Sequence, residues 1–175
     1  MHGDEKYLHI SSKGDGSLDF YISIKKDANW AKNSGVNFSD KSEICLWFNA
    51  AFPEWDNVWL ELFENSSLPL ILRPQYCIPL HQTWEAKSNI TLIGDAAHIM
   101  PPSGEGVNLA MLDALELSGC LTGKDFKNIQ AAIAAYEKPM RERGATEAEG
   151  SQEMIEWMHS PDALNKMVQM FNEAR

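Results

Sequence analysis

Leu92-Ile93-Gly94-Asp95-Ala96-Ala97-His98-Ile99-Met100-Pro101-Pro102-Ser103-Gly104-Glu105-Gly106-Val107-Asn108 is the stretch on which the reading of this chain turns. The apolar β-type run Asn89–Ile93 leads into it, and Leu109-Ala110-Met111-Leu112-Asp113-Ala114 follows at helical spacing. The pattern predicts a strand, a long turn, and a helix that begins near Gly106. A carboxylate at the C-terminal edge of such a strand faces the crevice where open α/β sheets bind ligands. Asp95 is therefore placed to accept hydrogen bonds from a hydroxylated ligand. Pro101-Pro102 stiffens the loop, while Gly104 and Gly106 let the backbone approach a flat ligand without a Cβ in the way. The helix from Gly106 turns its unpaired N–H groups and positive dipole end towards the same place.

Working outward towards the N-terminus, Tyr7–Ile10 and Leu18–Ile24 are short, β-branched and aromatic, and Gly14-Asp15-Gly16-Ser17 between them is turn chemistry. They predict an antiparallel hairpin. Ser39 is the expected N-cap of a helix carrying Ile44, Leu46, Trp47 and Ala50 or Ala51 up to Pro53, and a second helix is expected over 54–65 with Val58, Trp59, Leu62 and Phe63 as its core stripe. Leu68–Leu80 holds Pro69, Pro74 and Pro79, so it is expected to be an extended, strand-like crossing segment. Beyond the central motif, Val107–Leu121, Phe126–Glu137, Arg141–Met158 and Asp162–Ala174 read as helices. The unit 92–114 needs parallel neighbours that no other part of this chain provides.

Composition narrows the partners. The 175 residues are 44% hydrophobic and 23% charged, ordinary for a folded chain with a core. A net charge of −10 and the absence of a Lys/Arg run argue against nucleic acid and anionic membrane as partners. Cys45, Cys77 and Cys120 are scattered and odd in number, which indicates neither a disulfide framework nor a zinc site and fits a reducing cytoplasm. No apolar run reaches the roughly 18 residues of a membrane span, and no export signal follows Met1. The Asp95/His98 pair lacks the further ligands that a metal site needs.

Gly-Asp-Ala-Ala-His at 94–98, the proline pair, Gly104-Glu105-Gly106-Val107-Asn108 and Asp113-Ala114 together resemble the second flavin-binding motif of the FAD-dependent aromatic-ring-hydroxylase-type monooxygenases. Pro79-Leu80, Trp84, the hairpin ending in Phe20–Lys25, Trp30 and Tyr136-Glu137 are most similar to the tetracycline-inactivating flavin monooxygenases. The resemblance implies that Asp95 contacts the ribityl hydroxyls of FAD and that Gly104, Glu105, Gly106, Val107 and Asn108, with Pro102, line the isoalloxazine. Met100, Pro101 and Ser103 would lie towards the substrate. It assigns no catalytic side chain, because the flavin carries the oxygen chemistry. The loop is slightly shorter than the family's usual form, and Ser103 stands where an aromatic residue is common.

The implied fold is an α+β portion of an α/β FAD/NAD(P)-binding fold. Residues 1–85 would contribute to the substrate-domain sheet, 86–123 the second flavin motif, and 124–175 the C-terminal helices. The implied activity is hydroxylation of a planar aromatic or tetracycline-like substrate with NAD(P)H and O₂. No G-x-G-x-x-G follows any strand, so the expectation is that the FAD-phosphate half lies upstream of Met1 and that this chain alone binds FAD weakly or not at all. Three readings stay open at this point: a monooxygenase, a non-catalytic module that docks to a separate N-terminal half, and an unrelated polyol- or nucleotide-binding unit. Self-association through exposed apolar surface is expected, with the Met154, Met158, Met167, Met170, Trp157 and Phe171 face as packing surface. His98 reads as a structural hydrogen-bonding residue, and Asp113 as either a helix-packing carboxylate or an anchor behind the site. Glu105 faces either ligand or solvent, and the charges Arg141-Glu142-Arg143 read as a solvated helix face.

Overall fold

Asp15 turns the chain at its first hairpin, accepting from the Ser17 N–H at 2.9 Å and the Ser17 hydroxyl at 2.7 Å, with Gly16 at φ 84°. In the computed structural model, which describes residues 2, 3 and 5–173, this turn joins β2 (Lys6–Ser12) to β3 (Leu18–Ile24). They pair antiparallel with Lys6 opposite Ile24 and Ser12 opposite Leu18, and β1 (His2–Gly3) adds an outer strand to give the order β1-β2-β3. The expected hairpin is present at its expected place.

Alternation along β3 sends Phe20, Ile22 and Ile24 to one face, where they meet the buried Ile44, Phe48, Phe52 and Phe63. Ile44 and Phe48 come from α2 (Lys41–Ala51). Its N-cap is Asp40, one residue later than the expected Ser39, and its carboxylate accepts from the Ser42 and Glu43 N–H groups at 2.8 and 3.1 Å. A charged acceptor suits the positive helix end better than a hydroxyl does, and the Ser39 N–H is itself held by Asn37. Helix 54–65 is shorter than expected. Asp56 caps a 3-10 turn at Asn57–Trp59, and only Leu60–Glu64 (α3) is α-helical. Trp30, on the short α1 (Trp30–Asn33), packs its ring against Phe38 and Trp47.

Contacts divide the chain into two units, one holding the residues up to Pro74 and from Pro161 onward, the other Gln75–Ser160. Within the second unit the long helix packs against the 94–101 segment. The first unit also contains α7 (Ala163–Glu173). The expected end of this helix, Ala174, lies outside the described residues.

Three expectations for the chain from residue 68 onward are corrected. Residues 68–80 and 89–93 form no strand. A strand exists only with a ladder partner, and none runs beside Asn89–Ile93 among the described residues, so Ile90, Leu92 and Ile93 stay exposed. The turn after Gly94 is not irregular up to Gly106: it begins with a short helix, α4 (Asp95–His98), before α5 (Gly106–Thr122). The two helices expected over 126–158 are one, α6 (Ile129–Met158), which runs through Pro139. A proline inside a helix removes one hydrogen bond. The buried series Ala132, Tyr136, Met140, Gly144 and Ala148 continues at four-residue spacing across it, and that packing offsets the loss. All three cysteines are free thiols, and no helix among the described residues is long and apolar enough to cross a membrane.

Candidate functional site

Gly94 occupies φ 58°, ψ −143°, a region in which a side chain is strained, and a Cβ on it would sit 3.2 Å from Ala110 Cβ on α5. The residue thus brings the turn directly against the helix. Its N–H donates to Asp113 Oδ2 at 2.9 Å, and His98 Nε2 meets the same oxygen at 2.6 Å. The other oxygen, Oδ1, takes Arg143 Nη2 at 2.9 Å, while Arg143 also holds Glu116 at 2.9 and 3.2 Å.

Asp113 is fully buried and His98 nearly so. A buried carboxylate is costly unless it is paired and hydrogen-bonded, and this one is both. An ionised carboxylate only accepts, so Nε2 of His98 carries the hydrogen. Partial burial works against the charge of Arg143, but its bonds to Glu116 and Asp113 outweigh that and hold its ionisation above the ordinary arginine value.

α6 secures the rest of the segment. Tyr136 Oη donates to the Leu92 carbonyl at 3.0 Å, Thr91 Oγ1 donates to Glu137 Oε1 at 2.8 Å, and Ser151 Oγ donates to the Pro101 carbonyl. Burial, and then the nearby Asp113 charge, raise the Tyr136 phenol above its usual value, so it remains a donor. Gly144 faces His98 so closely that a Cβ there would lie 2.7 Å from His98 Cβ. From the other side, Gln82 Nε2 donates to the Ala97 carbonyl at 2.7 Å and the Ile78 N–H to the Ile99 carbonyl at 2.9 Å.

Above this buried base the residues expected at a ligand are mostly open. Asp95 starts α4, is exposed, and has no side-chain hydrogen bond among the described residues. A Cβ on Gly106 would stand 4.0 Å from its Oδ1, so turn and helix start are brought together. Gly104 has φ 92° and open space where a side chain would be. No side chain caps α5: its first backbone bond is from the Leu109 N–H to the Glu105 carbonyl, leaving the N–H groups of Gly106, Val107 and Asn108 outside the helix ladder. Glu105 is exposed and accepts from Asn108 Nδ2 at 3.0 Å. Val107, Asn108 and Pro102 are exposed, Met100 and Ser103 are half-buried, and Pro101 is buried.

Several residues that build the site were not expected to. Arg143 is no solvated charge, and Arg141 lies over the Trp84 ring with its guanidinium carbon 4.6 Å from the centroid. A glycine at 144 in a continuous helical pattern, in step with Ala148 and Ala132, was the signal for a close approach.

The site thus brings together an exposed carboxylate, on a turn held by buried hydrogen bonds, and an uncapped helix start. Residues 81–144 match the family described as FAD binding domain. This segment belongs to the type of FAD-binding domain carried by FAD-dependent monooxygenases. The dual O-methyltransferase/FAD-dependent monooxygenase of Cercospora beticola is 36% identical over 97 residues, covering 54% of this chain and 11% of that protein. A monooxygenase of Emericella nidulans is 45% identical over 84 residues, 43% of this chain and 19% of that protein. The chloroplastic zeaxanthin epoxidase of an Oncidium hybrid cultivar is 31% identical over 156 residues, 82% of this chain and 22% of that protein. The chain spans only a small share of each of these relatives.

Proposed function

We propose that this chain supplies the ribityl- and ring-contacting portion of an FAD-dependent monooxygenase that hydroxylates a planar aromatic or tetracycline-like substrate with NAD(P)H and O₂ in the cytoplasm. The observation that carries the reading is Asp95: an exposed carboxylate with no side-chain hydrogen bond among the described residues, on a turn fixed from beneath by Asp113 and opposite Gly106. A carboxylate so placed accepts hydrogen bonds from polyol hydroxyls, and the open space at Gly104 suits the edge of a flat ring.

In this reading Asp95 holds the ribityl chain, and Pro102, Gly104, Glu105, Gly106, Val107 and Asn108 line the ring. Met100, Pro101 and Ser103 lie on the substrate side. The free N–H groups at the start of α5 favour negative charge at the ring edge. FAD, when bound, supplies the redox and oxygen chemistry.

A second reading is a module active only with a separate N-terminal half. One experiment covers both. FAD is titrated into the chain alone and into its mixture with the N-terminal portion of the Emericella nidulans monooxygenase, with flavin retention and NADPH oxidation as readouts. Retention by the chain alone supports the first reading, and retention only in the mixture supports the second. Retention in neither overturns both. Exposed Ile90, Leu92 and Ile93 also lead us to expect concentration-dependent self-association of the isolated chain.

A further inference from the structure

We infer that Arg143 and Asp113 are positioning residues for Asp95, and that the α6 guanidinium thereby sets the affinity of a ligand it does not touch. This rests on the reading of Asp95 as a flavin contact. The chain of contacts is short and continuous. Arg143 Nη2 holds Asp113 Oδ1 at 2.9 Å, and Asp113 Oδ2 holds the Gly94 N–H at 2.9 Å. The Gly94 carbonyl in turn accepts from the Ala97 and His98 N–H groups at 2.8 and 3.0 Å, which closes the turn that presents Asp95. His98 shares Oδ2 at 2.6 Å and is itself fixed by the absence of a side chain at Gly144.

Two features separate this arrangement from ordinary helix packing. Arg143 forks onto Glu116 through Nη1 and Nη2 while Nη2 also bonds Asp113, a three-bond geometry that lysine does not reproduce. Gly94 also takes a positive-φ conformation that directs its N–H to Asp113 Oδ2 at 2.9 Å. Without Arg143, the buried Asp113 carboxylate keeps only the Gly94 and His98 donors and must draw them closer or admit water. Each response moves Gly94, and Asp95 with it.

The test has a ligand-free arm and a ligand arm. In the first, amide hydrogen exchange is measured on Arg143→Met, Arg143→Lys and, as a control on the same helix, Arg141→Met. Arg143→Met is expected to speed exchange at Gly94 by about tenfold more than at Met140 or Ala148 of α6. Arg143→Lys is expected to restore part of the protection, and Arg141→Met to change Gly94 and α6 amides equally. Equal acceleration at Gly94 and α6 in Arg143→Met overturns the inference, because it marks a general loss of stability. In the second arm, FAD affinity is measured in whichever arrangement retains flavin with the unaltered chain. Arg143→Met is expected to weaken it by about tenfold and Arg143→Lys by less. Unchanged affinity in Arg143→Met overturns the positioning role. Failure of the unaltered chain to retain flavin in any arrangement overturns the functional reading instead, while Gly94 exchange still decides whether Arg143 controls the turn.

Discussion

Replacing Gly144 by alanine puts a methyl group where His98 already stands. A Cβ at that position lies 2.7 Å from His98 Cβ and 3.4 Å from its Cγ. The obstructing atom is adjacent to the backbone rather than at the end of a flexible side chain, so α4 must shift away from α6. Helix propensity acts in the opposite direction, since Gly to Ala inside a helix gains ~0.8–1 kcal/mol. Overpacking of a close-packed contact costs ~1–3 kcal/mol. Displacing His98 also loosens its 2.6 Å bond to Asp113, and a hydrogen bond to a charged group is worth ~1.5–3 kcal/mol. The net expectation is a destabilisation of about 1–4 kcal/mol. Gly150 is the internal control: it lies on the same helix, is exposed, and a Cβ there meets nothing within 4 Å. Gly150→Ala is expected to stabilise the chain by ~0.5–1 kcal/mol. Urea unfolding followed by far-ultraviolet circular dichroism gives both values. Opposite signs support the packing of His98 beneath α6, and a Gly144→Ala chain as stable as Gly150→Ala refutes it.

Asp95→Ala removes an exposed side chain that has no hydrogen bond among the described residues, so unfolding should stay within ~0.5 kcal/mol of the unaltered chain while FAD retention in the complemented mixture is lost; equilibrium dialysis and urea unfolding check the two halves. Asp40→Ala removes the acceptor of two backbone N–H groups at the start of α2 and should cost ~0.5–2 kcal/mol in the same unfolding assay. Tyr136 has its ionisation raised above the ordinary value of 10.0, first by burial and then by Asp113. The folded state therefore binds the phenolic proton more tightly than the unfolded state does. Its contribution to stability is whole below pH 10 and declines as the pH rises beyond that. Tyr136→Phe should flatten that alkaline decline, measured as unfolding midpoints across the range.

Local chemistry made much of this fold legible. The Gly14–Ser17 turn and the β-branched and aromatic residues of Tyr7–Ile10 and Leu18–Ile24 announced the hairpin, while its buried face emerged only in the structure. The stretch from Gly94 to Asn108 announced a loop feeding an α-helix. What stayed hidden depends on partners distant in sequence. Asn89–Ile93 has strand composition, yet strand is a property of a pair, and no ladder partner lies beside it among the described residues. The continuity of α6 was obscured because Pro139 carries a strong local signal against helix, which the spaced burial of Tyr136, Met140 and Gly144 overrides. Arg143 sits in a run of alternating charges that resembles any exposed helix face. Only the position of α5 beside α6 reveals that it meets Asp113.

The central claim is that the turn at Gly94-Asp95 and the start of α5 form one flavin-contacting surface. Amide chemical-shift mapping of the isotope-labelled chain on addition of FAD, in the complemented mixture, tests it most directly. The expected result is that perturbations concentrate at Gly94, Asp95 and Gly104–Asn108 and disappear in Asp95→Ala. Saturable binding that leaves those amides unmoved, or that survives Asp95→Ala unchanged, contradicts it.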